Sequence, residues 1–224
     1  MKVLGASILL LANIAAPQDG PKTPADELWL FDRLDRLGNH STRVVGHPRV
    51  IDASFGKAVL FDGIGDALFV EAHPLAGAKQ FTWEVLFRPD AGGAAEQRFF
   101  NLQERDPNTG ADTRTRLLLE IRVSGDHWFL DSVAQSGEVS RILYNKDRLH
   151  PFGPWYHVAL VYDGRECRNY IDGVLENAGE ARLEPQGPGH SSAGVRINLH
   201  YFFKGAIAFS KVSRRALSPD EFTQ

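Results

Sequence analysis

Two polar sets in this chain have the residue types and spacing to hold a small ligand. Glu120 and Arg122 stand two apart, as do Arg196, Asn198 and His200 in turn. Alternate residues of a β-strand share a face, so each set would point to one side of its strand. Carboxylate, guanidinium, carboxamide and imidazole groups are planar hydrogen-bonding groups. Beside an aromatic platform they suit hydroxyl-rich ligands such as sugars, and Trp128 or Tyr144 could supply that platform. The competing reading is a solvated face, because one side of an outer sheet must meet water.

Other reactive types offer less. The single cysteine, Cys167, excludes an internal disulfide, has no histidine nearby in sequence and reads as a buried, inert thiol. No Cys/His cluster suggests zinc. His157 reads as a structural histidine. A net charge of -3, without any Lys/Arg run, argues against nucleic-acid binding.

The elements that would position these residues are short strands. Phe81–Phe87 (FTWEVLF) has strict period two: Phe81, Trp83, Val85 and Phe87 face one way, Thr82, Glu84 and Leu86 the other. Strands are also expected at 25–31, on both sides of Asp62-Gly63, at 98–103, 117–123, 127–133 and 139–144, and repeatedly from Trp155 onward. Residues 32–48 read as a long loop. Asp163-Gly164 and Asp172-Gly173 bracket one strand and predict a three-stranded meander. Trp155 is expected to plug the core, and Gly205 to kink the last long strand. Helices long enough for parallel crossovers are missing, so the fold expected is all-β, antiparallel and a single domain over residues 19–224.

Residues 1–18 read as a secretory signal peptide, with Met1-Lys2 before an apolar run from Val3 to Ala16; the competing reading is an uncleaved tail. The signal reading places the mature chain outside the cytoplasm, secreted or periplasmic. No later apolar run reaches the ~20 residues of a membrane span.

From Trp155 the sequence WYHVALVYDG…YIDGVL, then VRINL…FFKGAI…RALSPDEF, closely resembles the laminin-G-like jelly rolls of the concanavalin A-like lectin/glucanase superfamily. ELWLFD, SFGKAVLFDGIGDALFV and FTWEVLFRPD fit upstream in order, so the resemblance runs from about Asp26 to Phe222. It implies an antiparallel jelly-roll sandwich of two curved sheets.

The resemblance also implies which chemistry to seek. Glucanases of the superfamily carry E-x-D-x-x-E on a strand. This chain has no such motif, and Glu84, Asp90 and Glu96 are not spaced to share one strand face. Alginate-lyase relatives carry R-x-E-x-R and Q-I-H. Here Leu118 replaces the first Arg before Glu120 and Arg122, and Q-I-H is missing. Many relatives bind calcium at the rim through a closing K-G-x-I-D. Ala208 stands at that Asp position, which weighs against calcium, although Asn39 lies in a loop resembling the one that joins such sites. The function expected is a non-catalytic recognition module for carbohydrate or a protein surface, with no cofactor. The alternatives are a polysaccharide hydrolase or lyase, or a purely structural or adhesion domain.

Overall fold

The computed structural model describes residues 26–223; the signal-peptide expectation lies outside them. The strands are β1 (Glu27–Leu30), β2 (Arg36–Leu37), β3 (His40–Val45), β4 (Arg49–Ala53), β5 (Gly56–Asp62), β6 (Ala67–Val70), β7 (Phe81–Pro89), β8 (Glu96–Arg105), β9 (Asp112–Ser124), β10 (His127–Ser136), β11 (Val139–Tyr144), β12 (His150–Pro151), β13 (Tyr156–Tyr162), β14 (Glu166–Ile171), β15 (Val174–Glu180), β16 (Gly189–Ala193) and β17 (Lys204–Ser213). They form two antiparallel sheets packed as a sandwich. One runs β15-β14-β13-β7-β17-β5-β4 with β1 beside β17; the other runs β11-β10-β9-β8-β16-β6-β3-β2 with β12 beside β10. Among the described residues no helix is long and apolar enough to cross a membrane.

The inward residues fill the space between the sheets. Phe81, Trp83, Val85 and Phe87 all enter this core, as the alternation predicts. Phe87 stacks on Phe99 at 4.3 Å between ring centroids and meets Trp128 edge-on at 5.4 Å. A buried indole N–H needs an acceptor. Trp83 Nε1 donates to Ser210 Oγ at 2.9 Å, and Trp128 Nε1 donates to the Pro151 carbonyl at 3.1 Å. The Asp-Gly pairs form the predicted meander: β13 pairs with β14 and β14 with β15.

Four expectations are corrected. The loop expected over 32–48 contains β2 and β3; β3 lies between β6 and the two-residue edge strand β2 and buries none of its residues, so its sequence lacks an apolar alternation. The VRINL segment is not a strand. The chain pairs as β16 at residues 189–193, and residues 194–203 form a loop. Trp155 lies outside the core, edge-on to Phe55 at 5.0 Å and under the Arg88 guanidinium; the adjacent Tyr156 points inward instead. Gly205 does not mark the irregularity of β17. It allows close approach, since a Cβ there would lie 2.1 Å from the Arg88 carbonyl oxygen. The register shift falls at Ala208, where β17 leaves β5 for β1 and its carbonyl accepts the Phe31 N–H at 2.9 Å.

Candidate functional site

The outer face of the second sheet is polar because β9 alternates across it. Leu117, Leu119 and Ile121 enter the core, which leaves Arg116, Leu118, Glu120 and Arg122 outward. Directly paired antiparallel residues project to the same side. Glu120 is therefore flanked by Arg98 and Asp131, Arg122 by Glu96 and Phe129, Leu118 by Asn101 and Val133, and Arg116 by Gln103 and Gln135.

The charges in two of these rows form one network. Arg98 Nη1 donates to Glu96 Oε2 at 2.8 Å, and Arg122 Nε donates to Asp131 Oδ2 at 2.8 Å. Arg122 also pairs with Glu96. Arg98 Nε lies 2.6 Å from Glu120 Oε2, yet neither atom has a well-directed hydrogen bond, so this is a charge contact only. Burial is the largest influence on Glu120, whose side chain is 1% exposed. Its pKa rises to about 7, with Asp131 also raising it and Arg98 and Arg122 opposing. Burial likewise raises Asp131, whose Oδ1 is buried without a partner. Glu96 is more open, and its hydrogen bond from Arg98 lowers it.

Two walls rise beside this floor. On one side β11 presents Ile142 and Tyr144, both about half exposed, with Lys146 Nζ 5.8 Å above the Tyr144 ring. Between β11 and Arg122 lies an open groove of about 540 Å³ floored by Phe129 and Asp131. On the other side is the 194–203 loop, anchored where Ile197 N–H donates to Asn101 Oδ1 at 3.1 Å and Arg98 N–H donates to the Tyr201 carbonyl at 2.9 Å. Leu199 and Tyr201 adopt left-handed backbone, φ 62 and 66. Such conformations cost of order 1–3 kcal/mol each and persist only where surrounding contacts impose them. The Tyr201 ring covers the Arg98 guanidinium at 3.7 Å.

Of the residues expected to bind, Glu120, Arg122 and Tyr144 share this face. Trp128 does not. It is fully buried on the core side of β10, so it cannot be a platform. Arg196, Asn198 and His200 lie on the loop rather than along a strand, with Arg196 half-buried and the other two exposed. Sequence reasoning missed Arg98, Asp131 and Tyr201. The signal for Asp131 was the two-residue Gly125-Asp126 turn: pairing Ser124 with His127 sets Asp131 opposite Glu120.

Other polar groups are committed elsewhere. Glu84 lies on the opposite outer face, 2.9 Å from His157 Nε2, and accepts the Thr223 N–H at 2.6 Å, so Glu84 and Glu96 share no cleft. A rim pocket of about 370 Å³ holds Asp62 and Asp66. Asp62 Oδ1 accepts the N–H groups of Ile64, Gly65 and Asp66, and Asp66 accepts those of His47 and Asp62. Asn39 occupies the β2–β3 turn, and Ala208 is buried among Ala58 and Ala206. Among the described residues no three His, Cys, Asp or Glu side chains converge to hold a metal. Cys167 is buried, which pushes its thiol up to about 12.

Three solved structures share this architecture. Domain 4 of AbnA, a GH43 extracellular arabinanase from Geobacillus stearothermophilus, solved in complex with arabinotriose, aligns with a TM-score of 0.57 at 18% identity, over 87% of this chain and 94% of that one. The binding domain of Paraclostridial Mosquitocidal Protein 1 aligns at 0.64 and 12% identity, over 88% and 50%. The ligand binding domain of botulinum neurotoxin serotype D, in complex with N-acetylneuraminic acid, aligns at 0.60 and 14%, over 88% and 49%. The chain spans about half the length of these two toxin domains. At such identities the likeness is one of fold. No curated protein matches the sequence significantly. The family described as the concanavalin A-like lectin/glucanases superfamily, laminin G type, matches residues 62–222, more than half of the chain, and the chain belongs to that family.

Proposed function

We propose that this protein is a non-catalytic carbohydrate-recognition module acting outside the cytoplasm, and that it binds across the outer face of the β8–β9–β10 floor. One observation carries the reading: a groove floored by an Arg–carboxylate network and flanked by the exposed Tyr144. Arg122, Asn198 and His200 offer donors and acceptors for hydroxyls, while Tyr144 and Tyr201 offer apolar ring faces. The AbnA domain supports the reading by analogy of fold, since it was solved with a trisaccharide and aligns over nearly its whole length. The apolar run Val3–Ala16 supports export.

A polysaccharide-cleaving enzyme is the second reading, favoured by the raised pKa of Glu120. Against it, Glu120 and Asp131 are 1% and 3% exposed, and each is held against an arginine, Arg98 and Arg122 respectively. The test is a glycan array on the full chain, with reducing-end release measured on every oligosaccharide that binds. Binding weakened at least about tenfold by Tyr144→Ala, without release of ends, is the expected result. Turnover of a bound glycan would overturn the non-catalytic reading. Absence of binding to any glycan would overturn the carbohydrate reading.

A further inference from the structure

We propose that the groove beside Tyr144 continues across the end of β9 into a second cavity at the β9–β10 turn, so that the ligand is a glycan chain held along its interior rather than by a terminal sugar. The proposal rests on the carbohydrate-binding reading and adds which part of a glycan is recognised.

The continuity begins in β10. Phe129 and Asp131 floor the groove, and His127 stands two residues before Phe129 on the same strand, so the three project to one outer face. His127 lines the second cavity, of about 450 Å³, while its ladder partner Ser124 lines the groove itself. From Asp131 to His127 the strand runs ~13 Å, longer than a single sugar ring. Val123 lines both cavities, and its N–H donates to the Ala95 carbonyl at 2.9 Å. The ridge between them is this bond and the short side chains of Ala95, Val123 and Ser124. It is a low saddle that an extended chain can cross.

The second cavity carries the groups a sugar needs. Half-buried Phe152, packed against the core, supplies an apolar surface. His127 Nδ1 lies 2.6 Å from Asp126 Oδ1. A carboxylate only accepts, so the proton of the neutral imidazole sits on Nδ1 and Nε2 is an acceptor. Among the described residues no hydrogen bond engages that Nε2, which leaves it for a ligand hydroxyl. Ala91, Gly92 and Gly93 form another wall, with no side chain larger than a methyl and no hydrogen bond from their N–H groups. At the turn itself, Gly125 adopts φ 63, a backbone that favours glycine, so no side chain blocks the passage there. An aromatic surface, a planar acceptor held by its neighbour and a backbone-lined wall repeat, beyond the saddle, the kind of lining that Tyr144 and Arg122 give the groove. Two such cavities on one strand face suit successive units of one chain.

Titration calorimetry on the full chain tests this with size series of arabinose, xylose and glucose oligomers, from the single sugar to the hexasaccharide. In a series that binds, affinity is expected to rise at least about tenfold between the disaccharide and the hexasaccharide. Reducing the end sugar of the hexasaccharide to its alditol should leave its affinity unchanged, because the chain is held along its length. Ala91→Trp, at an exposed loop position, puts a ring into the second cavity and should abolish the rise. His127→Ala, at a half-exposed position, should cut the rise severalfold and serves as the independent variant. Affinity independent of length, a rise that survives intact in either variant, or loss of binding on end reduction overturns the proposal but leaves carbohydrate binding standing. Binding of none of the oligomers overturns the underlying reading.

Discussion

Glu120 and Asp131 sit directly opposite each other in the β9–β10 ladder, two buried carboxylates on one face. Burial, with the Asp131 charge beside Glu120 and the Glu96 charge near Asp131, outweighs the two arginines, so both titrate above the ordinary carboxylate range. The folded state therefore holds a proton on Glu120 that the unfolded chain releases near the ordinary glutamate value of 4.5. Stability falls as pH rises from there to about 7 and then levels. By linkage the loss attributable to Glu120 is of order 3 kcal/mol. Urea denaturation at stepped pH should show the stability of the wild type declining relative to that of Glu120→Gln over this range. Parallel profiles would refute the assignment.

Trp128 and Tyr144 separate core from face. Trp128→Ala opens a cavity among Phe87, Tyr156 and His150 and should cost about 3–5 kcal/mol. Tyr144→Ala removes a half-exposed ring and should cost within about 0.5 kcal/mol. Glycan affinity should respond in the opposite sense: lost in Tyr144→Ala, and retained by whatever Trp128→Phe remains folded. Denaturation midpoints and calorimetry on the same preparations check both halves.

The two sheets were legible because apolar alternation and Asp-Gly turns report burial and reversal directly, as in FTWEVLF and YDGRECRNYIDG. Half of the face was legible too. Glu120 and Arg122 follow from the parity of β9, and the Gly125-Asp126 turn sets Asp131 opposite Glu120 by counting. The same count puts Trp128 on the core side, since it stands an odd number of residues from Asp131. What sequence could not reveal is the 194–203 loop. VRINLHYF alternates like a strand, yet it folds over Phe69 with Val195, Ile197 and Phe202. That choice depends on a side-chain acceptor, Asn101, which lies 96 residues away from Ile197. Trp155 misled for a related reason: a large aromatic at a strand entrance covers the outer surface as readily as the core.

His73 provides an acid-side counterpart. It is buried against Gln186, with 2.7 Å between Nε2 and Oε1, and Nδ1 has no partner. Burial depresses its pKa to about 4 from 6.5. For a base with a depressed folded pKa, stability is complete above about pH 6.5 and is lost as pH falls toward 4. His73 and Glu120 thus slope in opposite directions between pH 4.5 and 6.5. His73→Gln keeps a hydrogen-bonding amide near Gln186 and removes the titration. Its unfolding free energy should lose the acid-limb slope, with Glu120 then dominating the profile. An unchanged acid limb would show that the slope arises elsewhere.

The wall that carries Tyr144 is held by a different device. Strands β11 and β15 lie at the edges of opposite sheets and are joined by side chains rather than by a ladder. Arg141 Nε donates to the Glu180 carbonyl at 2.8 Å, and Asn177 Nδ2 donates to the Tyr144 carbonyl at 2.5 Å. Arg141 reaches Glu180 by lying across Gly179, where an added Cβ would stand 2.9 Å from its Cδ and 3.1 Å from its Nε. Gly179→Ala should therefore push Arg141 off the edge and cost roughly 1 kcal/mol, the value of a lost charge-assisted bond in a partly solvated place. Because β11 is an outermost strand, its loosening should also raise hydrogen exchange at residues 139–144 and weaken glycan binding without touching β9. Arg141→Ala should reproduce the exchange, and the double variant should add nothing further. Additive effects would mean that Gly179 acts through its own backbone and not through Arg141.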